Sequence, residues 1–315
     1  MRTLICGSFA YDSIMVFPDR FKNHILPDKV HMLNVSFMVP EMRREFGGCA
    51  GNIAYGLKLL GGEPVAMGMV GQDFAPYAAW MDKCGVDRSY VTTAEGTFTA
   101  QAFIVTDLDD NQINAFHPGA MAFSHRNKVN GVADVGLGIV SPDGRDGMIE
   151  HAEQFHAAGI PFIFDPGQGL PMFDADLLRK LIGQATWLAA NDYEWEMIAE
   201  RTGMTVAEAL TQLQAVIVTR GDEGSTIHTR DGQIDIPVVS VAVAKDPTGC
   251  GDAFRAGLLY GLANKLDWEM TGRIASLMGA IKIAHDGTQN HSFTMEQFHS
   301  RYRDEFGTDF QEGQA

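Results

Sequence analysis

Lys245-Asp246-Pro247-Thr248-Gly249-Cys250-Gly251-Asp252-Ala253-Phe254-Arg255-Ala256-Gly257 is the most informative segment of this sequence. It follows the β-like run 238–244 and leads into a run of small and apolar residues at 253–263. The pattern therefore predicts a strand, a glycine turn and a helix N-terminus. The unpaired N–H groups and partial positive charge of a helix start attract anions, and glycines let an anion approach the backbone closely.

Asp252 is predicted to lie at this helix start. A carboxylate there can take a proton from a substrate hydroxyl, while the amides of Gly249, Cys250 and Gly251 hold negative charge on a transferred phosphoryl group. Taken alone, the segment also fits an Asp that simply caps a helix after a glycine turn. The residues themselves leave both interpretations open.

The same segment resembles the C-terminal signature of the ribokinase (PfkB-type) family of sugar and nucleoside kinases. That signature is Asp-Thr-x-Gly-x-Gly-Asp-x-Phe, and residues 246–254 differ from its commonest form chiefly by Pro247. The resemblance implies that Asp252 is the catalytic base and that Gly249, Cys250 and Gly251 form an anion hole. It extends over nearly the whole chain.

Composition narrows the class of protein. A chain of 315 residues with 45% hydrophobic residues, 20% charged residues and 34 glycines is typical of one α/β domain, with or without an inserted lid. The formal charge of -16 argues against a surface for nucleic acid or anionic lipid. No apolar segment approaches the ~18 residues of a membrane span, so a cytoplasmic enzyme is expected. The four cysteines are widely spaced and indicate neither a zinc site nor a disulfide framework.

A second group of candidate residues lies near the N-terminus. The run 4–7 predicts a short buried strand, and Asp12 would follow its carboxyl end, where ligands bind in an open α/β sheet. An Asp there can accept hydrogen bonds from two vicinal hydroxyls, although a turn Asp that bonds its own backbone fits as well. The resemblance makes Asp12 a sugar ligand.

Residues 47–52, Gly-Gly-Cys-Ala-Gly-Asn, open a predicted helix that stops at Gly61-Gly62. Glycine-rich helix starts are common, so this motif alone says little. It resembles the N-terminal Gly-Gly-x-x-x-Asn signature of the family, which makes Gly48 and Asn52 sugar contacts.

Two segments, 13–46 and 97–116, depart from the α/β pattern. The second alternates like two strands around the predicted hairpin turn 107–111. The resemblance implies that these segments form a small β-sheet lid over a large domain made of residues 1–12, 47–96 and 117–315. Gln101 and Phe103, or Phe116, would face the substrate, but the strand register is not decided by the sequence.

From about residue 132 the chain alternates strand and helix, which predicts a doubly wound, mostly parallel sheet. Asn191 and Glu194 follow one of these strands. Their spacing predicts an N-cap with a capping box, and the resemblance implies that they also organise Mg²⁺ beside the phosphates of ATP.

The turn after the strand 215–219 is the predicted nucleotide contact. Thr219, Gly221 and Gly224 match the family turn that lies against the phosphates and ribose of ATP, and Arg220 is either a further phosphate contact or a surface residue. The family often binds a monovalent cation, K⁺, between the turn at 286–288 and the loop 246–248. The residues 288–290 depart from the usual pattern there.

The lid segments are rich in large apolar side chains, which favours an apolar slot for a nucleobase. They include Phe17, Phe37, Met38, Phe98, Phe103 and Phe116. The order of the motifs resembles that of the bacterial and archaeal nucleoside kinases that are similar to adenosine kinase. The expected reaction is phosphorylation of the 5′-hydroxyl of a ribonucleoside by ATP, with adenosine first and inosine, guanosine or cytidine as other substrates.

Two alternatives stay open at this point. One is a ribokinase- or fructokinase-like sugar kinase, and the other is a non-catalytic nucleoside- or nucleotide-binding protein. The chain is expected to act as a monomer or a homodimer, without nucleic-acid or membrane partners.

Overall fold

The structure, a computed structural model, describes residues 1–25, 32, 34–109 and 111–310. The strands are β1 (Arg2–Cys6), β2 (Ala10–Val16), β3 (Glu41–Gly47), β4 (Glu63–Val70), β5 (Asp87–Thr93), β6 (Ala100–Thr106), β7 (Gln112–His117), β8 (Val135–Val140), β9 (Phe162–Phe164), β10 (Trp187–Asn191), β11 (Ala215–Thr219), β12 (Ser225–Thr229) and β13 (Gly232–Ile236). The α-helices are α1 (Cys49–Leu59), α2 (Ala75–Cys84), α3 (Arg145–Ala158), α4 (Ala175–Gln184), α5 (Asp192–Thr202), α6 (Val206–Ala209), α7 (Cys250–Ala263), α8 (Trp268–Ile283) and α9 (Met295–Phe306).

Nine strands form the main sheet in the order β13-β12-β11-β10-β9-β8-β1-β4-β5. All neighbours from β11 to β5 run parallel, and β12 and β13 add an antiparallel edge. The central strands are continuous apolar runs because helices cover both faces of a parallel sheet. The predicted doubly wound α/β class is confirmed.

Alternate side chains of β1 enter two separate cores. Ile5 packs with α1, α7 and α8, whereas Leu4 and Cys6 pack with α3, α4 and α5 on the opposite face. The chain leaves β1 toward β4 on one side and returns to β8 on the other. This reversal opens a crevice at the carboxyl end of β1, where an open α/β sheet binds its ligands.

A second sheet of four strands, in the order β3-β2-β6-β7, stands apart from the main sheet. Its strands β2 and β6 pair in parallel, while β3 and β7 pair antiparallel on the outside. The sheet starts at Ala10 and so extends slightly beyond the predicted lid segments. Asp12 therefore follows the carboxyl end of β1 as predicted but lies within β2, so the alternative of a turn Asp does not apply, because the chain re-enters a strand after only three residues. The division of the chain into two domains stays a prediction.

The β-like run before the signature does not form a strand. The structure describes all of residues 237–249 and gives them no strand pairing. The segment follows β13 at the edge of the sheet, and Val239 is buried whereas Val238 and Val243 are exposed. A β-branched run without a partner strand stays irregular, since strand propensity depends on packing against neighbours.

None of the helices in the described part of the chain is both long and apolar enough to span a membrane.

Candidate active site

A cleft of about 970 Å³ lies between the second sheet and the carboxyl ends of the main-sheet strands. Residues from both N-terminal and C-terminal motifs meet in it. The predicted site residues that line it are Asp12, Gly48, Asn52, Phe116, Asn191, Glu194, Thr219, Gly221, Gly249, Gly251 and Asp252.

Asp252 lies in the first turn of α7, whose N-cap is Gly249 with a φ of 79°. The Nδ2 atom of Asn52, from α1, donates to Asp252 Oδ2 at 2.8 Å. Burial and the nearby charge of Asp165 raise the pKa of Asp252 to about 6, and the bond from Asn52 acts against this rise. Asp252 is thus a carboxylate that is ionised at neutral pH and easier to protonate than an ordinary Asp, as a general base requires.

One of the three backbone amides predicted to form the anion hole, that of Cys250, is already hydrogen-bonded within the glycine turn before Asp252. The N–H of Cys250 donates to the carbonyl of Pro247 at 3.2 Å, and Cys250 does not line the cleft. Gly251 is exposed to the cleft, and a Cβ built on it would meet no atom nearer than Nη1 of Arg255 at 3.9 Å. The prediction that Cys250 contributes an amide to the site is not supported, because a local turn uses that amide.

A buried ion pair lies under Asp252. Arg255, one helical turn later, donates through Nε and Nη2 to both oxygens of Asp165 at 3.1 and 3.0 Å. Burial lowers the pKa of Arg255, but Asp165, Glu194 and Asp252 raise it above its usual value. The guanidinium therefore supplies a fixed positive charge among three carboxylates at the floor of the cleft. No role for this pair is predicted from the sequence. The signal in the sequence is that Arg255 is a charged residue within a helix of small and apolar residues.

Asn191 and Glu194 form the predicted capping box at the start of α5. Asn191 Oδ1 accepts from the N–H of Glu194 at 2.7 Å, and Glu194 Oε2 accepts from the N–H of Asn191 at 2.8 Å. Burial and the charge of Asp165 raise the pKa of Glu194. A nearby cation would therefore favour the ionised form of this side chain.

These oxygens are the ligand type that Mg²⁺ prefers. Among the described residues, no cluster of three or more His, Cys, Asp and Glu side chains is arranged to hold a metal ion by itself. The oxygens of Asn191 and Glu194 would fit a metal ion that is held jointly with water and substrate oxygens.

A second layer of hydrogen bonds fixes Asn52. Gln289 Nε2 donates to Asn52 Oδ1 at 2.9 Å and to Tyr77 Oη at 2.6 Å, and Trp80 Nε1 donates to Gln289 Oε1 at 2.8 Å. Gln289 is buried and does not line the cleft. In the sequence, residue 289 stands out only because it departs from the family pattern.

Only part of the predicted nucleotide turn faces the cleft. Thr219 and Gly221 line the cleft, whereas Arg220 and Gly224 do not. The guanidinium of Arg220 donates to the Thr226 hydroxyl on the β12–β13 hairpin. Gly224 has a φ of 84°, and a Cβ there would meet the carbonyl oxygen of Ile236 at 2.3 Å. Gly224 is required by hairpin packing, and the surface role of Arg220 agrees with the structure better than a phosphate contact.

Asp12 and Gly48 lie at the joint between the two sheets. Burial, Glu45 and Asp246 raise the pKa of Asp12 to about 6. Gly48 has a φ of 88°, and a Cβ there would lie 2.5–2.6 Å from the backbone of Ser8, Phe9 and Ala10. Glycine at position 48 is therefore required by the crossing of two backbone segments.

Gln101 and Phe103 point away from the cleft, contrary to the prediction. Asp12 pairs with Ala102 in the parallel β2–β6 ladder, so Ala102 and Ile104 share its face. Gln101 donates instead to Asp73 Oδ2 at 3.0 Å, and Phe103 is 41% exposed. A shift of one residue exchanges the two faces of a strand, and the sequence does not fix this choice.

The apolar wall of the cleft differs from the predicted one. Among the six lid residues named above, only Phe116 lines the cleft; Phe17 packs on Phe21 and Phe37, while Met38 and Phe98 are exposed. The wall consists mainly of smaller or flexible side chains: Ala10, Ala102, Ile104, Ala115, Met121 and Met172.

Comparisons with known proteins identify the family of this chain. The family model described as pfkB family carbohydrate kinase matches residues 9–295. The crystal structure of Burkholderia thailandensis nucleoside kinase in complex with inosine is similar, with a TM-score of 0.88, 52% identity, and coverage of 98% of this chain and 99% of that one. The structure of that enzyme with ADP-inosine is 54% identical, has a TM-score of 0.88, and is matched over 99% of this chain and 98% of that chain.

A curated nucleoside kinase of Methanocaldococcus jannaschii is 30% identical over 267 residues, which are 84% of this chain and 87% of that protein. The family match covers most of the chain and includes every element that lines the cleft. The chain therefore belongs to the PfkB family of carbohydrate kinases and is a phosphotransferase with an alcohol group as acceptor.

Proposed function

We propose that this protein transfers the γ-phosphoryl group of ATP to the 5′-hydroxyl of a ribonucleoside, with adenosine and inosine as the first candidates. The observation that carries the proposal is that one cleft is lined by Asp252, by Asp12 with an apolar wall, and by Thr219 with Gly221. The similar Burkholderia thailandensis enzyme is a nucleoside kinase whose structures contain inosine and ADP-inosine.

The sugar end of the cleft orients the acceptor. Asp12 accepts hydrogen bonds from the ribose hydroxyls, and Gly48 allows the sugar to lie against the backbone. The 5′-hydroxyl is then directed at Asp252, which takes its proton as the oxygen attacks the phosphorus. The hydrogen bond from Asn52 to Asp252 Oδ2 at 2.8 Å fixes the orientation of the carboxylate that takes this proton.

Charge stabilisation comes from the N-terminus of α7 and the floor of the cleft. Gly251 and Gly249 bring the helix start close to the transferred group, and the buried guanidinium of Arg255 adds a positive charge below it. Preorganised charges of this kind contribute most of the catalysis in phosphoryl transfer.

Mg²⁺ bound with ATP would neutralise the charge that develops on the phosphates. Glu194 and Asn191 would hold it, largely through water, since their own oxygens already take part in the capping box. Asp165 stays paired with Arg255 and keeps this end of the cleft acidic.

The apolar wall favours a nucleoside over a free sugar. A ribose or fructose molecule would leave Ile104, Phe116 and Met172 in contact with water, whereas a purine base would cover them. Since Phe116 is 58% exposed, the base-binding end is open, which fits acceptance of more than one base.

ADP release by the purified protein tests the proposal. The assay supplies Mg·ATP with adenosine, inosine, guanosine, cytidine, ribose or fructose in turn, and the Asp252→Asn variant serves as the control for contaminating kinases. Turnover on nucleosides alone is the expected result. Turnover on ribose or fructose alone would replace the nucleoside by a sugar, and no turnover on any of the six would favour a binding protein.

A further inference from the structure

Members of the family often hold a monovalent cation between the signature loop 246–248 and the turn at 286–288. The residues of this chain do not fit such a site. We infer that the protein needs no monovalent cation, because the ammonium group of Lys282 fills that position permanently.

Lys282 is the penultimate residue of α8, and its side chain is completely buried. Its Nζ atom donates to the carbonyl oxygen of Asp246 at 2.5 Å and to that of His285 at 3.2 Å. It also lies 4.0 Å from Asp246 Oδ1. Carbonyl oxygens and a carboxylate are the ligands that a K⁺ ion would take, so the ammonium occupies a cation-binding set of oxygens.

The groups around Lys282 join the signature loop to the end of α8. The N–H groups of Lys245 and Asp246 donate to the carbonyl of Ile283 at 2.8 and 3.2 Å. The N–H groups of Thr248 and Gly287 donate to Asp246 Oδ1 and Oδ2, both at 2.9 Å. Lys282 thus lies inside the connection between the loop and the turn, where the cation is expected.

A second cation would be repelled from this position. Besides Lys282, the guanidinium of Arg43 lies 4.0 Å from Asp246 Oδ2 and 3.9 Å from Asp286 Oδ1. Two positive groups therefore already face the carboxylate of Asp246 in the loop. An ion added beside them would have to displace a covalently attached ammonium, which loses no translational freedom when it binds.

Lys282 also affects the backbone that forms the proposed anion hole. The loop held by Lys282 continues through Thr248 to Gly249 and Gly251, which line the cleft. Lys282 itself does not line the cleft, so it is a positioning residue that fixes the backbone from which the phosphoryl group is bound. The order of this loop is therefore part of the covalent structure.

Three measurements on the wild-type protein test the inference. In buffers that contain only Na⁺ or only K⁺, we expect kcat/KM for the nucleoside to agree within about twofold and the Kd for ADP from calorimetry to be unchanged. In crystals soaked with Tl⁺, which replaces K⁺, we expect no anomalous peak near the carbonyl of Asp246. A saturable K⁺ activation of fivefold or more, a Kd that depends on K⁺, or a Tl⁺ peak at that oxygen would overturn the inference.

The activity measurement rests on the proposed function, whereas ADP binding and the Tl⁺ peak do not. A protein that fails to phosphorylate nucleosides therefore still tests the role of Lys282.

The Lys282→Met variant supplies the complementary test. It keeps the aliphatic chain and removes the charge, so we expect the Kd for ADP in Na⁺ buffer to rise at least tenfold and to recover at least partly when K⁺ is added. The control is Lys180→Met, which removes an exposed ammonium on α4 that pairs with Glu153. An unchanged Kd for ADP in a folded Lys282→Met protein would contradict the inference.

Discussion

Asp252 receives a hydrogen bond whose direction is fixed by a chain of side chains. The indole N–H of Trp80 can only donate, so Gln289 must present its oxygen to Trp80 and its NH₂ group to Asn52. Asn52 must then present its own NH₂ group to Asp252. Because the indole N–H of Trp80 can only donate, it ensures that an N–H group points at the Asp252 carboxylate, three hydrogen bonds along the chain of side chains.

Replacing Gln289 by Leu breaks this chain. Asn52 then loses the partner of its oxygen, its amide is free to rotate, and the carboxylate of Asp252 loses a donor that lowers its pKa. For the wild-type protein we expect kcat/KM to fall as the pH decreases through about 6, since the base must be ionised. In Gln289→Leu this acid limb should move to higher pH by about half a unit to one unit.

Tyr55→Phe is the matched control for that experiment. The Tyr55 ring stacks on Trp80, and its hydroxyl donates to the carbonyl of His291, away from Asp252. Its pH profile should match that of the wild-type protein. An acid limb that stays in place in Gln289→Leu, measured on folded protein, would mean that the chain does not control Asp252.

The ionised carboxylate of Asp252 also lowers the free energy of unfolding. A folded-state pKa above the usual value means that the folded protein binds the proton more tightly than the unfolded chain, so ionisation at neutral pH destabilises the fold. We expect Asp252→Asn to lower kcat by at least a thousandfold at pH 7.5, because the general base is lost. The free energy of unfolding should stay constant or rise by about 1–2 kcal/mol. Steady-state kinetics and urea unfolding measure the two effects, and a wild-type kcat would exclude the proposed mechanism.

At the level of elements, the starts of three helices, α1, α5 and α7, meet at the cleft, and we propose that α7 binds the anion. Gly251 is in its first turn and has open space where a Cβ would be. Gly251→Ala should therefore fold normally and gain up to ~1 kcal/mol of stability from helix propensity. The added methyl group would occupy the space of the phosphoryl group, so we expect kcat/KM to fall at least tenfold.

Gly131→Ala provides the control for that substitution. A Cβ at residue 131 also meets no atom within 4 Å, but the residue lies in a short 3₁₀ turn away from the cleft. Both its activity and its melting temperature should stay close to wild type. Equal activity of Gly251→Ala and Gly131→Ala would exclude a phosphoryl group at the start of α7.

The facing of strand β6 gives a second test with a built-in control. Ile104 lines the cleft, and its neighbour Phe103 points to the opposite face. Ile104→Ser should raise the KM for the nucleoside about tenfold, because it removes apolar contact with the base. Phe103→Ser should leave this KM within about twofold, and the reverse result would show that the strand has the other register.

Local sequence signals predicted most elements, and long-range contacts explain the failures. The capping box at Asn191 was predictable because Asn191 and Glu194 bond to backbone within three positions. The facing of β6 was not, since it depends on a parallel partner ninety positions earlier. Gln289 and Lys282 act on residues far away in the chain, so their roles appear only when the elements are packed together.

On the scale of the whole molecule, the cleft is bounded by two sheets that share few connections. Three residues separate β1 from β2, and Gly48 alone separates β3 from α1. In the proposed complex, a nucleoside contacts Asp12 on strand β2 of the second sheet and Asp252 on helix α7, which packs against the main sheet. Its binding free energy would therefore also hold the two parts of the molecule together. Binding to the folded state alone contributes about 2.7 kcal/mol of stability at a hundredfold excess over Kd.

Hydrogen exchange can measure this coupling. With saturating adenosine, we expect amide exchange to slow in β6 and β7, whose inner face lines the cleft. Exchange in β12 and β13, at the far edge of the main sheet, should change little. Uniform protection across the chain would indicate general stabilisation and not a ligand that bridges the two sheets.

The parallel pairing of β2 with β6 also constrains the order of folding. Residue 10 pairs with residue 100, and α1, β4, α2 and β5 lie between them in the chain. Until β6 arrives, β2 and β3 form only a two-stranded ribbon, which is marginally stable in water. Closing such a long loop is entropically costly, so we expect the pairing of β2 with β6 to follow the local pairing of β6 with β7. During synthesis, a ribosome must therefore deliver more than a hundred residues before the cleft has a roof.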